Sequence, residues 1–208
     1  MRVLSLQSIT SFLARVFLIS LAVAGWALAA QAQAVDRIGV PGPVEFDGKP
    51  HALAWTSNPS SGYFKQEYLP AGQDTATYTQ MIMIDVLETG VDVKTALASQ
   101  VRILNQRKAR DPMVNMAIVE NKATGEMLLD FIISDDSKGK SIAEWNAYRY
   151  TPHTGRDGRK GVILFALSRR AYNDDINGFL KELRTLRPGF INKVARYTLP
   201  AVATSARP

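Results

Sequence analysis

Apolar and polar residues alternate along much of the chain, with the period of two that is typical of β-strands. The clearest case is 77–87, where Ile82 and Ile84 share one face. Two other segments, 127–134 and 161–168, are almost wholly apolar, which indicates strands that are buried on both faces. The predicted strands are 52–56, 64–69, 77–87, 113–120, 127–134, 144–151 and 161–168.

Two segments show the helical period instead. In 92–109 the apolar residues recur every three or four positions, and Asp92 is placed to cap the first turn. In 173–187 acidic residues stand near the start and basic residues near the end, which complements the helix dipole. The Pro188-Gly189 pair predicts that this second helix ends there.

This order of elements predicts an α+β fold. We expect a mainly antiparallel sheet of about six or seven strands, packed with two helices at about 92–109 and 173–187 that cover one face. Residues 51–190 are predicted to form a single domain. The Gly/Pro-punctuated segment 35–50 is predicted to be an extended arm, and 191–208 a loose C-terminal tail.

Residues 1–34 have the three parts of a secretory signal peptide. Arg2 and Arg15 supply positive charge without any acidic residue, an apolar run follows, and small residues allow cleavage after Ala32 or Ala34. Export to the periplasm is therefore predicted.

An uncleaved membrane anchor is the alternative for this segment. Its apolar run of about 15 residues would reach roughly 22 Å as a helix, short of a hydrocarbon core of about 30 Å. The alternative localisation is therefore the inner membrane, with residues 16–34 as the anchor. A lipoprotein anchor is excluded because the chain has no cysteine.

Composition narrows the chemistry further. Without cysteine, thiol nucleophiles, zinc–thiolate sites and iron–sulfur clusters are excluded. Of the 25 Lys and Arg residues, two lie in the predicted signal, so 23 remain against 19 Asp and Glu, a net charge of about +4. This balance disfavours nucleic acid as a partner and suits an acidic protein or an anionic envelope component. No membrane span is predicted in the mature chain.

One stretch suggests a family. From Phe64 to Val86 a strand is followed by Tyr68-Leu69-Pro70-Ala71-Gly72-Gln73 and then by Tyr78-Thr79-Gln80-Met81-Ile82, which opens a long strand. With the later strands and the closing helix, this order resembles the Mog1/PsbP-like superfamily of small α+β sandwiches over about residues 50–190. The resemblance implies a binding or accessory role, and it carries over no functional residue.

Cations and tyrosines are concentrated in the loop 152–160 and in the strands that flank it. Arginine mixed with aromatic residues is typical of a contact surface, whereas a solvated hairpin tip is the alternative interpretation. The predicted binding residues are Arg149, Tyr150, His153, Arg156, Arg159, Lys160, Arg169 and Arg170.

No set of residues suggests an assembled catalytic site. The histidines, His51 and His153, lack the short spacing of metal ligands and are predicted to lie at the surface. The serine hydrolase pattern Gly-x-Ser-x-Gly is absent from the sequence. No metal site, cofactor or catalytic residue is therefore predicted.

Carboxylate chemistry stays open as an alternative. Glu67, Asp85, Glu88 and Asp130 lie in or beside predicted strands, where a sheet could hold two acids close together. Asp130 stands among apolar neighbours, so we expect it to be buried and paired, with Arg149 as its partner.

The sequence thus predicts an exported periplasmic binding or accessory protein without catalytic activity. It would contact an envelope protein or an anionic envelope component through the basic, aromatic hairpin. The alternative is a carboxylate-dependent envelope hydrolase that acts on a glycan or another polymer.

Overall fold

A computed structural model describes residues 34–136 and 139–204. The predicted export signal therefore lies outside the described residues, apart from Ala34. The elements are β1 (Val44–Phe46), β2 (Lys49–Ser60), β3 (Tyr63–Leu69), β4 (Gln80–Leu87), α1 (Val93–Lys108), β5 (Asn115–Asn121), β6 (Glu126–Asp135), β7 (Ile142–Thr154), β8 (Lys160–Tyr172) and α2 (Asp175–Arg196).

The eight strands form one curled, half-barrel sheet in the order β1-β2-β3-β4-β8-β7-β6-β5, and all neighbours are antiparallel. Strands β1–β4 form one meander and β5–β8 form another. The two meanders meet where β4 pairs with β8, from Gln80 opposite Arg169 to Leu87 opposite Val162. The centre of the sheet is therefore built from strands that are distant in sequence.

The prediction of six or seven strands is wrong, because β1 was not predicted. This strand has only three residues and lies inside the predicted extended arm. It pairs with β2 across Asp47 and Gly48, whose φ angles are 53° and 71°. Two consecutive positive φ angles suit a tight hairpin turn, and the Asp-Gly pair was the available sequence signal.

The arm around residues 35–50 belongs to the core. The carbonyl oxygen of Val40 accepts hydrogen bonds from the hydroxyl of Tyr68 at 2.7 Å and from Nε2 of Gln66 at 3.2 Å. The backbone N–H of Arg37 donates to Oε1 of the same Gln66 at 2.6 Å. Because Ile38 is also fully buried, this segment is fixed against β3 by both polar and apolar contacts.

The two helices lie on opposite faces of the sheet, not together on one face as predicted. Along β8, Val162, Leu164 and Ala166 belong to the hydrophobic cluster that includes α1. The residues that alternate with them, Ile163, Phe165 and Leu167, belong to the cluster that includes α2. This alternation explains why the segment 161–168 is apolar throughout.

Hydrogen bonds to two aspartate side chains, Asp92 and Asp111, stabilise the two ends of helix α1. Oδ1 of Asp92 accepts a hydrogen bond from the backbone N–H of Thr95 at 2.7 Å, which caps the first turn. After the last turn, the buried carboxylate of Asp111 accepts from Nε of Arg107 and from the backbone N–H of Ser134, both at 2.8 Å. These bonds fasten the end of α1 to β6.

Helix α2 is longer than predicted, because it continues through Pro188 to Arg196. Proline removes one helical hydrogen bond, but Phe190 and Val194 beyond it are buried and extend the stripe begun by Phe179 and Leu183. Apolar burial therefore outweighs the local stop signal. Neither helix in the described ranges has the length and apolarity needed to cross a membrane.

The segment after α2, predicted as a loose tail, packs against the sheet in its described part. The ring of Tyr197 stacks on that of Phe165, with centroids 4.2 Å apart and planes 3° from parallel. The backbone N–H of Ala203 donates to the carbonyl of Ile38 at 2.7 Å. The sequence missed these contacts because they join residues far apart in the chain.

Tyr197→Ala tests whether this segment stabilises the domain. We expect a loss of about 2 kcal/mol in the free energy of unfolding, because the stacked ring and its buried area are removed. Chemical denaturation of the two proteins measures this difference. Thr198→Ala, a change at an exposed neighbour, should cost less than about 0.5 kcal/mol. Equal losses in both variants would contradict the packing role of the ring.

Candidate functional site

The tip of the β7–β8 hairpin is the part of the predicted contact surface that reaches solvent. The backbone N–H of Gly155 donates to the carbonyl of Arg159 at 2.8 Å, and the N–H of Gly158 donates to the carbonyl of Gly155 at 3.0 Å. Gly158 has a φ of +78°, which a side chain would disfavour. The tip is therefore a defined turn.

Contacts with the β4–α1 connection hold this turn in place. The N–H of Gly90 donates to the carbonyl of Lys160 at 3.0 Å, and Nη1 of Arg159 donates to the carbonyl of Glu88 at 3.2 Å. A Cβ on Gly161 would lie 1.8 Å from the carbonyl oxygen of Leu87, so only glycine permits this close approach. The hairpin tip is thus attached to the end of β4 and the β4–α1 connection.

Three cations are exposed at the tip. Arg156 and Lys160 make no ion pair within the described residues, whereas Arg159 pairs with Asp157 at 3.1 Å. His153 lies just before the tip and its Nε2 contacts Oε1 of Glu88 at 3.1 Å. The tip therefore presents positive charge on a fixed backbone.

The predicted binding residues outside the tip are engaged inside the protein. Arg149 pairs with Glu126 at 2.6 Å and donates to the carbonyl of Tyr197 at 2.7 Å, which links β7 to the segment after α2. Tyr150 is buried in the cluster under α1. The aromatic part of the predicted surface is thus not exposed with the cations of the tip.

Arg169 and Arg170 lie at the opposite end of β8, and they point to opposite faces. The guanidinium of Arg169 lies 4.7 Å from the ring centroid of Phe190 under α2. That of Arg170 lies 4.1 Å from the ring centroid of Tyr78 and pairs with Glu144. Ten residues of strand separate Arg170 from Lys160, about 33 Å. The eight residues therefore do not form one surface.

Asp130 is buried and paired, but its partner is not Arg149. Nε of Arg187 on α2 donates to Oδ2 of Asp130 at 2.9 Å, the Nη2 of the same side chain forms a second bond, and Nε1 of Trp145 donates to Oδ1. The sequence analysis predicted Arg149 on β7 as the partner, but Arg149 pairs with Glu126, the first residue of β6. Asp130 thus ties α2 to the sheet.

The histidines are not at the surface as predicted. His51 is fully buried, and its Nδ1 lies 2.9 Å from the carbonyl oxygen of Lys49, so this nitrogen must donate. Its Nε2 lies 3.0 Å from Nε2 of Gln80 and accepts from that amide. Burial lowers the pKa of His51. His153 is only 14% exposed at its side chain.

A second polar cluster lies on the α1 side of the sheet, where β3 meets β4. Asp85 is buried, its Oδ2 accepts from the hydroxyl of Tyr63 at 3.0 Å, and Nζ of Lys65 lies 3.5 Å from it. Burial raises the pKa of Asp85 to about 6, although Lys65 and the tyrosine hydroxyl oppose this shift. Its Oδ1 has no hydrogen-bond partner among the residues that the structure describes.

Glu67 extends this cluster along β3. It faces Met83 on β4, two residues from Asp85 and on the same face of the sheet. Burial is the main cause that raises the pKa of Glu67, and the charge of Asp85 adds to the increase. Both residues were candidates in the sequence, but only the register of β3 against β4 brings them together. Tyr63 was not predicted as part of this cluster. The available signal was its position two residues before Lys65 and four before Glu67, which places all three on one face of the strand.

Within the described ranges, no three His, Asp or Glu side chains are grouped to hold a metal ion. The two acids at β3 and β4 have tyrosine and lysine as neighbours, which suits proton transfer or the binding of a polar ligand. The hairpin tip, where Arg159 pairs with Asp157 and Arg156 and Lys160 make no ion pair within the described residues, suits binding.

Asp85→Asn tests the buried carboxylate. Its pKa is near 3.9 in an unfolded chain and about 6 in the fold, so the folded state favours the proton. The stability this contributes is complete below about pH 4 and is lost as the pH rises through 6. The two-unit shift corresponds to about 3 kcal/mol, so the asparagine variant should gain about that much relative to the native chain between pH 4 and pH 7.

Denaturation at both pH values measures this difference. His51, whose pKa is lowered by burial, is present in both proteins, so its contribution cancels. Asp157→Asn, at an exposed carboxylate, is the control and should change the difference by less than about 1 kcal/mol. A constant difference for Asp85→Asn would show that this carboxyl group is not perturbed.

Comparison with known proteins identifies a family for this chain. A search of curated proteins finds no significant similarity, whereas a protein-family model matches residues 38–199. The match does not connect the chain to the Mog1/PsbP-like superfamily, so that resemblance stays a prediction. Because the matched residues include every described strand and both helices, the chain belongs to this uncharacterised family.

Proposed function

We propose that the chain is an exported binding or accessory protein without catalytic activity, which contacts an envelope partner through the tip of the β7–β8 hairpin. The observation that carries this proposal is the exposure of Arg156 and Lys160, unpaired among the described residues, on a turn held by backbone hydrogen bonds. Export to the periplasm rests on the signal-like pattern of residues 1–34.

Three properties of the tip support a binding role. Arg156 and Lys160 are exposed and have no ion pair within the described residues, so an acidic partner can contact them without displacing an internal one. Its backbone is fixed, so little conformational entropy is lost on association. Its charge favours an acidic protein or an anionic envelope component and attracts it over several ångströms at low salt.

The test is photo-cross-linking of a C-terminally tagged chain in its native cells, with a photoreactive residue at position 157. We expect capture of one or two envelope components from the native sequence. The double variant Arg156→Ala/Lys160→Ala should lower that capture about tenfold, because two exposed attractive charges are lost. Capture should also decrease when the salt concentration is raised.

The matched control is Arg102→Ala/Lys108→Ala, which removes two exposed cations from α1 instead. It should leave capture unchanged, and the thermal unfolding of both variants should match that of the native chain. Equal capture by all three proteins would contradict a role for the hairpin tip.

The hydrolase alternative is favoured by a separate observation, the Glu67–Asp85 cluster. Diagonal neighbours on adjacent strands are about 7 Å apart, which is compatible with two carboxyl groups that flank a water molecule. A carboxyl group whose pKa is about 6 can donate a proton near neutral pH. Asp130 takes no part, because Arg187 and Trp145 already occupy its carboxylate.

Incubation of the purified domain with peptidoglycan sacculi at pH 6 tests this alternative through the release of reducing ends. If the pair is catalytic, Glu67→Gln and Asp85→Asn should each lower the rate at least a hundredfold, since each removes one proton-transfer group. Asp157→Asn should leave the rate unchanged. No release by the native domain would exclude this glycan as the substrate.

A further inference from the structure

Strand β5 forms one edge of the sheet and pairs only with β6 among the described strands. Edge strands usually carry protection such as lysine, proline, a bulge or a cover. In β5 the only charged residue is Glu120, while Ile118 is 46% exposed and Val119 is 59% exposed. This edge therefore offers free backbone N–H and C=O groups beside exposed apolar side chains.

A groove of about 570 Å³ runs along this edge on the α2 side of the sheet. Ala117, Val119 and Leu128 form its floor, and Pro188 and Ile191 of α2 line its wall. A strand added to β5 would widen this floor and place alternate side chains in the groove. Groove and edge thus form one continuous surface.

The charge beside the groove selects the kind of strand that fits. Arg184 lines the groove, is exposed and makes no ion pair within the described residues. The neighbouring Arg187 is already neutralised by Asp130. One free guanidinium beside apolar side chains favours a carboxylate flanked by apolar residues.

We propose that β5 is the docking edge for an extended segment of a partner protein, in which an acidic residue stands between apolar ones. The segment pairs with β5 as a ninth strand, its apolar side chains enter the groove, and its carboxylate meets Arg184. A lipid would fill the groove but leave the backbone groups of β5 unpaired. If β5 of a second copy paired with this edge, its one acidic residue would be Glu120. Glu120 alternates with Val119 along the strand, so it lies on the face of the sheet opposite the groove.

This surface is independent of the hairpin tip, since no residue of the tip lines it. The probes are two capped nine-residue peptides of alternating valine and threonine, in which the central valine is replaced by aspartate in one and by lysine in the other. Titration of the ¹⁵N-labelled domain should shift the amide resonances of β5. The aspartate peptide should bind about tenfold more tightly, because attraction replaces repulsion at Arg184.

Arg184→Gln should reduce that preference to about threefold or less, whereas Arg102→Gln, at an exposed cation of α1, should preserve it. Val119→Lys should abolish the binding of both peptides while the thermal unfolding temperature stays unchanged, because this side chain is exposed. Equal affinity for both peptides, or no shift at β5, would overturn the proposal. A dimer of the native chain would also overturn the proposal if sedimentation detects it and Val119→Lys dissociates it, because a second copy would then occupy the edge.

Discussion

The pairing of β4 with β8 is the contact on which the arrangement of the domain depends. It joins two meanders whose strands are otherwise local in sequence, and it does so along eight consecutive residue pairs. Because β8 then lies in the middle of the sheet, both of its faces must be covered, and one helix packs on each. This pairing also places the β7–β8 hairpin tip beside the β4–α1 connection, where the N–H of Gly90 donates to the carbonyl of Lys160.

The helices and strands were predictable from the sequence where their bounds depend on local residues and not on contacts with distant segments. The cap at Asp92 and the apolar runs in β6 and β8 place those elements close to where the structure has them. The predicted strand count was wrong because β1 has only three residues, between Pro43 and the Asp47-Gly48 turn, which is too short for a period of two to be recognised. The end of α2 was wrong because the burial of Phe190 and Val194 outweighs a local signal at Pro188.

The candidate site was predictable only in part, for a related reason. Sequence shows where cations are concentrated, but it does not show which of them are neutralised. Arg149, Arg169 and Arg170 each have an acidic partner on another element, and those partners are fixed by register or helix packing. Arg156 stands in the turn and Lys160 at the first position of β8, and neither side chain has an acidic partner among the described residues. The proximity of Glu67 to Asp85 likewise needed the register of β3 against β4.

The hydrogen bond from Ala203 to Ile38 joins segments 165 residues apart in the sequence. A contact of such long range is opposed by the entropy of closing nearly the whole chain into a loop. It can form only when the strands between have already brought the two segments together. The segment around Ala203 therefore docks after the sheet has formed, and it can detach from Ile38 without separating any pair of central strands.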